Sequence, residues 1–215
     1  MRDKGKVKEL FAAMSTAEKA KYIWEYYRYY LFAFLIVCIV AIFLVNDYSP
    51  KKDSALSILV LGDLVDSNEI ENIQEKLNEG ILSEEERKTH EVSIQVIPYA
   101  PDAADLNVVM AALQRVTGEI STGELDVLFI DKEQFEIMNG EQYFYSLDKL
   151  VDRELPVGKE FMYYDSKNQA TGIDAQALPL FNEAIDDPDV VMGVIVNTKR
   201  TENIEKIFNI LFKKQ

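Results

Sequence analysis

The sequence has 215 residues, of which 48% are apolar, enough for one well-cored domain and a small appendage. Its formal charge of −14 divides unevenly: residues 1–45 carry seven Lys/Arg against four Asp/Glu, and residues 46–215 carry sixteen against thirty-three, a net of −17. So acidic a body repels phosphate backbones, which argues against a nucleic-acid binder, and the single cysteine, Cys38, leaves no intramolecular disulfide framework and no cysteine-based metal site.

Residues 1–28 form a basic segment. Val7, Leu10, Phe11 and Met14 fall at i, i+3, i+4 and i+7 among lysines, the pattern of a short amphipathic helix on a membrane surface. A frayed basic tail fits residues 1–14 equally well. Ser15-Thr16-Ala17-Glu18 then reads as a capping box, with Ser15 as N-cap, that starts a new helix. From Leu31 to Val45 no residue is charged, and with Tyr29 and Tyr30 the run is seventeen residues, about 25 Å of helix. Residues 29–46 are therefore read as a transmembrane helix. Trp24, Tyr26, Tyr27, Tyr29 and Tyr30 before the run, and Tyr48 after it, give the aromatic belts that anchor such a helix at each interface.

Orientation follows from the cations. Arg2, Lys4, Lys6, Lys8, Lys19, Lys21 and Arg28 precede the run, and only Lys51 and Lys52 follow closely, so the positive-inside rule puts the N-terminus in the cytosol. Cleavage as a signal peptide is disfavoured because Leu44-Val45-Asn46-Asp47-Tyr48 lacks a small-x-small site. A lipoprotein reading fails on Val37, bulky where a small residue is wanted before Cys38.

Residues 47–54, with Pro50 and two lysines, read as a linker to a domain over 55–215. Ala55–Leu61 is a buried-strand run ended by Gly62-Asp63. Residues 67–80 carry Ile70, Ile73 and Leu77 on one helical face, with Gly80 as the expected stop. Glu91–Tyr99 alternates through Val92, Ile94 and Val96, residues 102–122 hold a helical apolar stripe, and Leu125–Ile130 is again a strand. Such alternation predicts right-handed βαβ units, a mainly parallel sheet in the order 2-1-3, and helices on both faces. Beyond it the expectations are a short helix from Phe135, the aromatic string Tyr143-Phe144-Tyr145 as core and rim, and a short helix near Leu147. Next come a hairpin of residues 161–164 and 170–174 around Ser166-Lys167-Asn168-Gln169, a later strand at 190–197, open to antiparallel pairing, and a terminal helix over 204–212.

Lys21-Tyr22-Ile23-Trp24-Glu25-Tyr26-Tyr27-Arg28 resembles a juxtamembrane signature of Firmicutes-type single-pass membrane proteins. Gly123–Asp131, then Phe135 and Tyr145-Ser146-Leu147-Asp148-Lys149-Leu150, with Val194–Asn197 and the helix after it, resemble one lobe of an extracellular solute-binding protein of the type 2 periplasmic class. That resemblance implies ligand capture outside the membrane, but a solute-binding protein closes two lobes on its ligand and this chain has residues for about one.

Catalytic parts are scarce. His90 is the sole histidine, so Ser-His-Asp, Cys-His and histidine-rich zinc sites lack their members. Glu84-Glu85-Glu86 and Asp186-Asp187-Pro188-Asp189 lack calcium-loop spacing and read as solvated loops. Ligands of parallel α/β sheets sit beyond the strands' carboxyl ends, which here carry Asp63, Tyr99 with Asp102, and Asp131. Asp63, Tyr99 and Asp131 are thus the candidate binding residues, although Asp102 and Asp131 also stand where helix N-caps are wanted. The expected role is an extracellular interaction or accessory domain, anchored in the cell membrane, without catalytic activity or cofactor, its partners the lipid bilayer and another membrane or envelope protein. The alternative is a tethered solute-binding or sensory domain that takes a small ligand at the strand ends.

Overall fold

The structure, a computed structural model, describes residues 15–47, 52–99, 106–150 and 155–212. Its contacts divide the chain into two compact units, Met1–Lys51 and Lys52–Gln215.

The first unit is built on a 32-residue helix, α1 (Thr16–Asp47). Its start is the expected capping box: the Ser15 N–H donates to Glu18 Oε2 at 2.9 Å, and the Glu18 N–H reaches back to Ser15 Oγ at 3.4 Å. These bonds favour the ionised carboxylate and hold the Glu18 pKa below its ordinary value. Trp24, Tyr29 and Tyr30 project outward, with Trp24 edge-on to Phe32 at 6.1 Å and Arg28 bonded to the Tyr29 hydroxyl at 2.8 Å. The side chains of Tyr26 and Tyr27, like residues 1–14 and Tyr48, lie outside the described residues. Phe32, Phe34, Leu35, Ile36, Val37, Ile39, Val40 and Ile42 are exposed all round the helix. The described apolar stretch, residues 32–42, covers about 16 Å, and among the described residues no helix is long and apolar enough to cross a membrane.

The second unit contains, in order, β1 (Asp53–Leu61), α2 (Ser67–Ile81), β2 (His90–Ile97), α3 (Leu106–Thr122), β3 (Val127–Asp131), α4 (Lys132–Gly140), β4 (Met162–Tyr164), β5 (Ala170–Asp174), β6 (Val190–Val194) and α5 (Thr201–Leu211). One six-stranded sheet runs β2-β1-β3-β6-β5-β4. The 2-1-3 start is parallel as expected, but β6 runs antiparallel to β3 and β5, and β4 antiparallel to β5. The sheet is therefore mixed rather than mainly parallel. Parallel pairing requires a crossover, and after β3 the chain returns through the short α4 and the β4–β5 hairpin instead.

The period-two pattern of β1 divides the core in two. Leu56, Ile58 and Val60 face Ile70, Ile73 and Leu77 of α2 and Ile204, Ile207 and Phe208 of α5. Leu59 and Leu61 face Val109, Val116 and Ile120 of α3 and Phe135 of α4. Three layers result. The outer edge of β2 is stopped by amides from α2: the Val92 N–H donates to Asn78 Oδ1 and the Ile94 N–H to Gln74 Oε1, both at 2.8 Å. Gly80, expected to end α2, instead lies within its last turn; a Cβ there would stand 2.6 Å from Ile210 Cδ1, so a larger residue would make that side chain of α5 shift.

Asp126, at the start of β3, is fully buried and binds across the sheet. Its carboxylate accepts from the Ser57 N–H at 2.8 Å, Thr198 Oγ1 at 2.6 Å and Arg200 Nη1 at 3.0 Å, tying β1 and β3 to the turn before α5. Removing one member leaves the others desolvated and unpaired. Asp126→Ala is expected to cost about 3–5 kcal/mol, read by denaturant unfolding of the full chain in detergent. A cost under about 1 kcal/mol would place the pair among ordinary surface ion pairs.

Candidate functional site

The three sequence-derived candidates separate in the fold. Asp131 is the N-cap of α4, its Oδ1 accepting from the Gln134 N–H at 3.0 Å, in keeping with its position before the helix. Tyr99 is 4% exposed, while Asp63 is exposed at the end of β1 and has no bond in common with the other two. Tyr99 and Asp131 do come together. Burial, then the Asp131 carboxylate, pushes the Tyr99 phenol well above its usual pKa. Neither Tyr99 Oη nor Asp131 Oδ2 has a partner in hydrogen-bond geometry. Asp102 lies outside the described residues.

A better-formed site stands at the opposite end of the sheet, and two glycines place it. Gly172 of β5 and Gly193 of β6 face each other in register, and a Cβ on either would collide with an aromatic ring: Phe135 and Val191 above Gly172, Phe144 and Phe135 above Gly193. On this bare strip Phe135 and Phe144 stack, centroids 4.4 Å apart and planes at 18°. Stacking fixes the segment attached to each ring. Asn139 is one turn beyond Phe135 on α4, and Ser146 lies two residues beyond Phe144, whose segment bridges to Ile195 past the end of β6.

The third wall is the β4–β5 hairpin turn. Asp165 Oδ1 accepts from the Lys167 N–H at 2.9 Å and the Gln169 N–H at 2.8 Å, and Asn168 takes a φ of 58° to close the loop. Gln142, after α4, has a φ of 63°, a region that costs a non-glycine residue about 1 kcal/mol. Its Oε1 accepts a long bond from Lys167 Nζ at 3.4 Å. Together these segments line two adjoining clefts, about 390 Å³ beside Glu136, Tyr163 and Tyr164 and about 290 Å³ beside Ser146, Lys149 and Lys167, with Asn139 and Asp165 in the walls of both.

Unmet hydrogen-bonding capacity occurs at this end of the molecule as it does at Tyr99 and Asp131. Asn139 Nδ2 donates to the Tyr164 carbonyl at 3.0 Å, which fixes the amide and leaves Oδ1 as its free acceptor. Asn139 and Ser146 are each 8% exposed, and Asn139 Oδ1 and Ser146 Oγ both lack a partner. Buried polar atoms are ordinarily paired, so two orphans in one cleft mark a place where a bound group would complete the bonding. Among the described residues no group of three or more His, Cys, Asp or Glu is placed to hold a metal ion. None of these cleft residues is marked as a binding residue by the sequence; the available signal is the lone glycine inside each of two apolar strands, which indicates close approach of another group.

No family model matches the chain, and no curated protein does. Among solved structures it is similar to an ABC substrate-binding protein from Listeria monocytogenes in complex with cycloalternan, at 11% identity and a TM-score of 0.36, over 57% of this chain and 28% of that one. The chain thus spans less than a third of the length of that protein.

The buried Tyr99 phenol makes stability depend on alkaline pH. A phenol whose folded pKa is raised contributes stability that is whole below its unfolded pKa, about 10, and is lost as pH rises beyond it. Tyr99→Phe is expected to leave the neutral-pH Tm nearly unchanged and to flatten its fall above about pH 10. An alkaline fall identical to that of the parent chain would show that the phenol is not held protonated.

Proposed function

We propose that the chain is a membrane-tethered, extracytoplasmic ligand-binding protein whose adjoining clefts, at the hairpin end of the sheet, take up a small polar molecule. The observation that carries this reading is the pair of buried, unpartnered oxygens, Asn139 Oδ1 and Ser146 Oγ, in one cleft wall. The cleft volumes, about 290 and 390 Å³, match small-ligand sites, which start at roughly 300 Å³. A binding rather than a catalytic role fits the scarcity of nucleophile and base in the sequence.

The tether rests on the uncharged run from Leu31 to Val45 and its aromatic flanks, and on the outward apolar side chains of α1, which water does not favour on every side of a helix. Cytosolic placement of the N-terminus rests on the basic residues before the run. A second reading, docking of an envelope protein, is favoured by Leu106 and Met110, 73% and 49% exposed and one turn apart on α3.

Orientation and ligand uptake are each open to measurement. Cys38 is the only cysteine, so single-cysteine labelling is direct. In intact cells a membrane-impermeant maleimide is expected to label Lys52→Cys, to spare Ser15→Cys until the membrane is opened, and to spare Cys38 until detergent is added; labelling of Ser15→Cys in intact cells would reverse the orientation. In a thermal-shift screen of the full-length chain against small polar metabolites, at least one is expected to raise the Tm, and Asn139→Leu to remove that response. A screen in which nothing shifts the parent chain would transfer the role to protein docking through α3.

A further inference from the structure

Resting on the ligand-binding reading of the hairpin-end clefts, we infer the class of the ligand: a small polyhydroxylated carboxylate, of uronic-acid or aldonic-acid chemistry. Charge gives the first indication. Residues 46–215 carry a net of −17, yet among the described residues the smaller cleft is lined by two lysines, Lys149 and Lys167, and one acid, Asp165. That carboxylate is already committed, since its Oδ1 holds the turn through the Lys167 and Gln169 N–H groups. The cleft is thus a cationic spot on an anionic domain, and such a spot concentrates anions. Among the described residues the Lys167 ammonium makes a long 3.4 Å bond to Gln142 Oε1, an uncharged partner that leaves its charge available.

The remaining groups specify what accompanies the negative charge. Asn139 Oδ1 is fixed as an acceptor and requires a donor from the ligand, a hydroxyl or an N–H. Ser146 Oγ, buried and without a partner, can accept or donate. The adjoining cleft carries the opposite sign: among the described residues its wall holds Glu136 and Asp165 and no Lys or Arg, with Tyr164, 40% exposed, beside them. A carboxylate therefore belongs on the Lys149–Lys167 side, and hydroxyl groups belong across Asn139 toward Glu136, which accepts their protons in hydrogen bonds. Such a molecule satisfies both orphan oxygens and both signs of charge. A fully apolar ligand would leave the two oxygens unpaired, and a dication would meet the lysines.

The test uses the full-length chain in lipid nanodiscs, with D-glucuronate and D-gluconate as probes and D-glucose as the neutral counterpart, read by calorimetry at fixed ionic strength. Expected is binding of at least one acid, at least about tenfold weaker binding of glucose, and at least about tenfold weaker binding of that acid to the Lys149→Gln/Lys167→Gln double variant. The double variant changes exposed side chains and is expected to keep the parent Tm, so that loss of binding is not loss of folding. Glucose bound as tightly as the acids would overturn the carboxylate class while leaving ligand binding at the cleft intact. Acid binding unchanged in the double variant would overturn the assignment of the carboxylate to these lysines. Absence of binding by all three probes would overturn the inferred class, and if the metabolite screen also shifts nothing, the ligand-binding reading falls with it.

Discussion

Two facing glycines, Gly172 and Gly193, set the geometry on which the second half of the domain depends. Without side chains on that part of the sheet, the rings of Phe135 and Phe144 lie almost on the backbone and stack on each other. Each fully buried aromatic is worth about 1.5–3 kcal/mol of transfer free energy, and close packing makes the position of the ring as important as its area. Phe135 draws α4 down onto the other side of the sheet from α2 and α5. Phe144 draws the segment after it across the end of β6. Asn139 and Ser146 are placed by those two rings, so the cleft is a by-product of core packing.

Asp126 performs a comparable task at the centre of the sheet. A carboxylate removed from water is tolerated only with strong partners, and here it has a main-chain N–H, a hydroxyl and a guanidinium. Those partners come from β1 and from the turn into α5, near the two ends of the domain's sequence. The ion pair therefore specifies which strand neighbours which, a role distinct from adding net stability.

Much of the fold is legible in the sequence because its signals are local. The apolar runs of β1, β2, β3 and β6, the helical faces of α2, α3 and α5, the Ser15–Glu18 box, the Asp131 cap and the hairpin around residues 166–169 all arise from period, propensity and turn chemistry. Features set by distant contacts are the ones that local pattern misplaces. Gly80 has the position of a helix stop, yet it lies inside α2 against Ile210, 130 residues later. The antiparallel return of β6 has no marker within its own five residues, since a buried strand reads alike in either direction. The general rule that puts ligands at the strands' carboxyl ends joins Tyr99 to Asp131 and leaves Asp63 apart. Asn139, Ser146 and Lys167 of the cleft are ordinary in sequence; only the lack of a bonding partner distinguishes the first two, and that is a property of three dimensions.

The amides that stop the edge of β2 bear on how copies of the domain behave at high concentration. An open sheet edge is a template on which an identical edge pairs, the more readily the higher the local concentration. Asn78 and Gln74 already occupy the outward N–H groups of Val92 and Ile94. A neighbouring copy would have to displace two short bonds before its first strand contact formed, which keeps crowded molecules from zipping together along that edge.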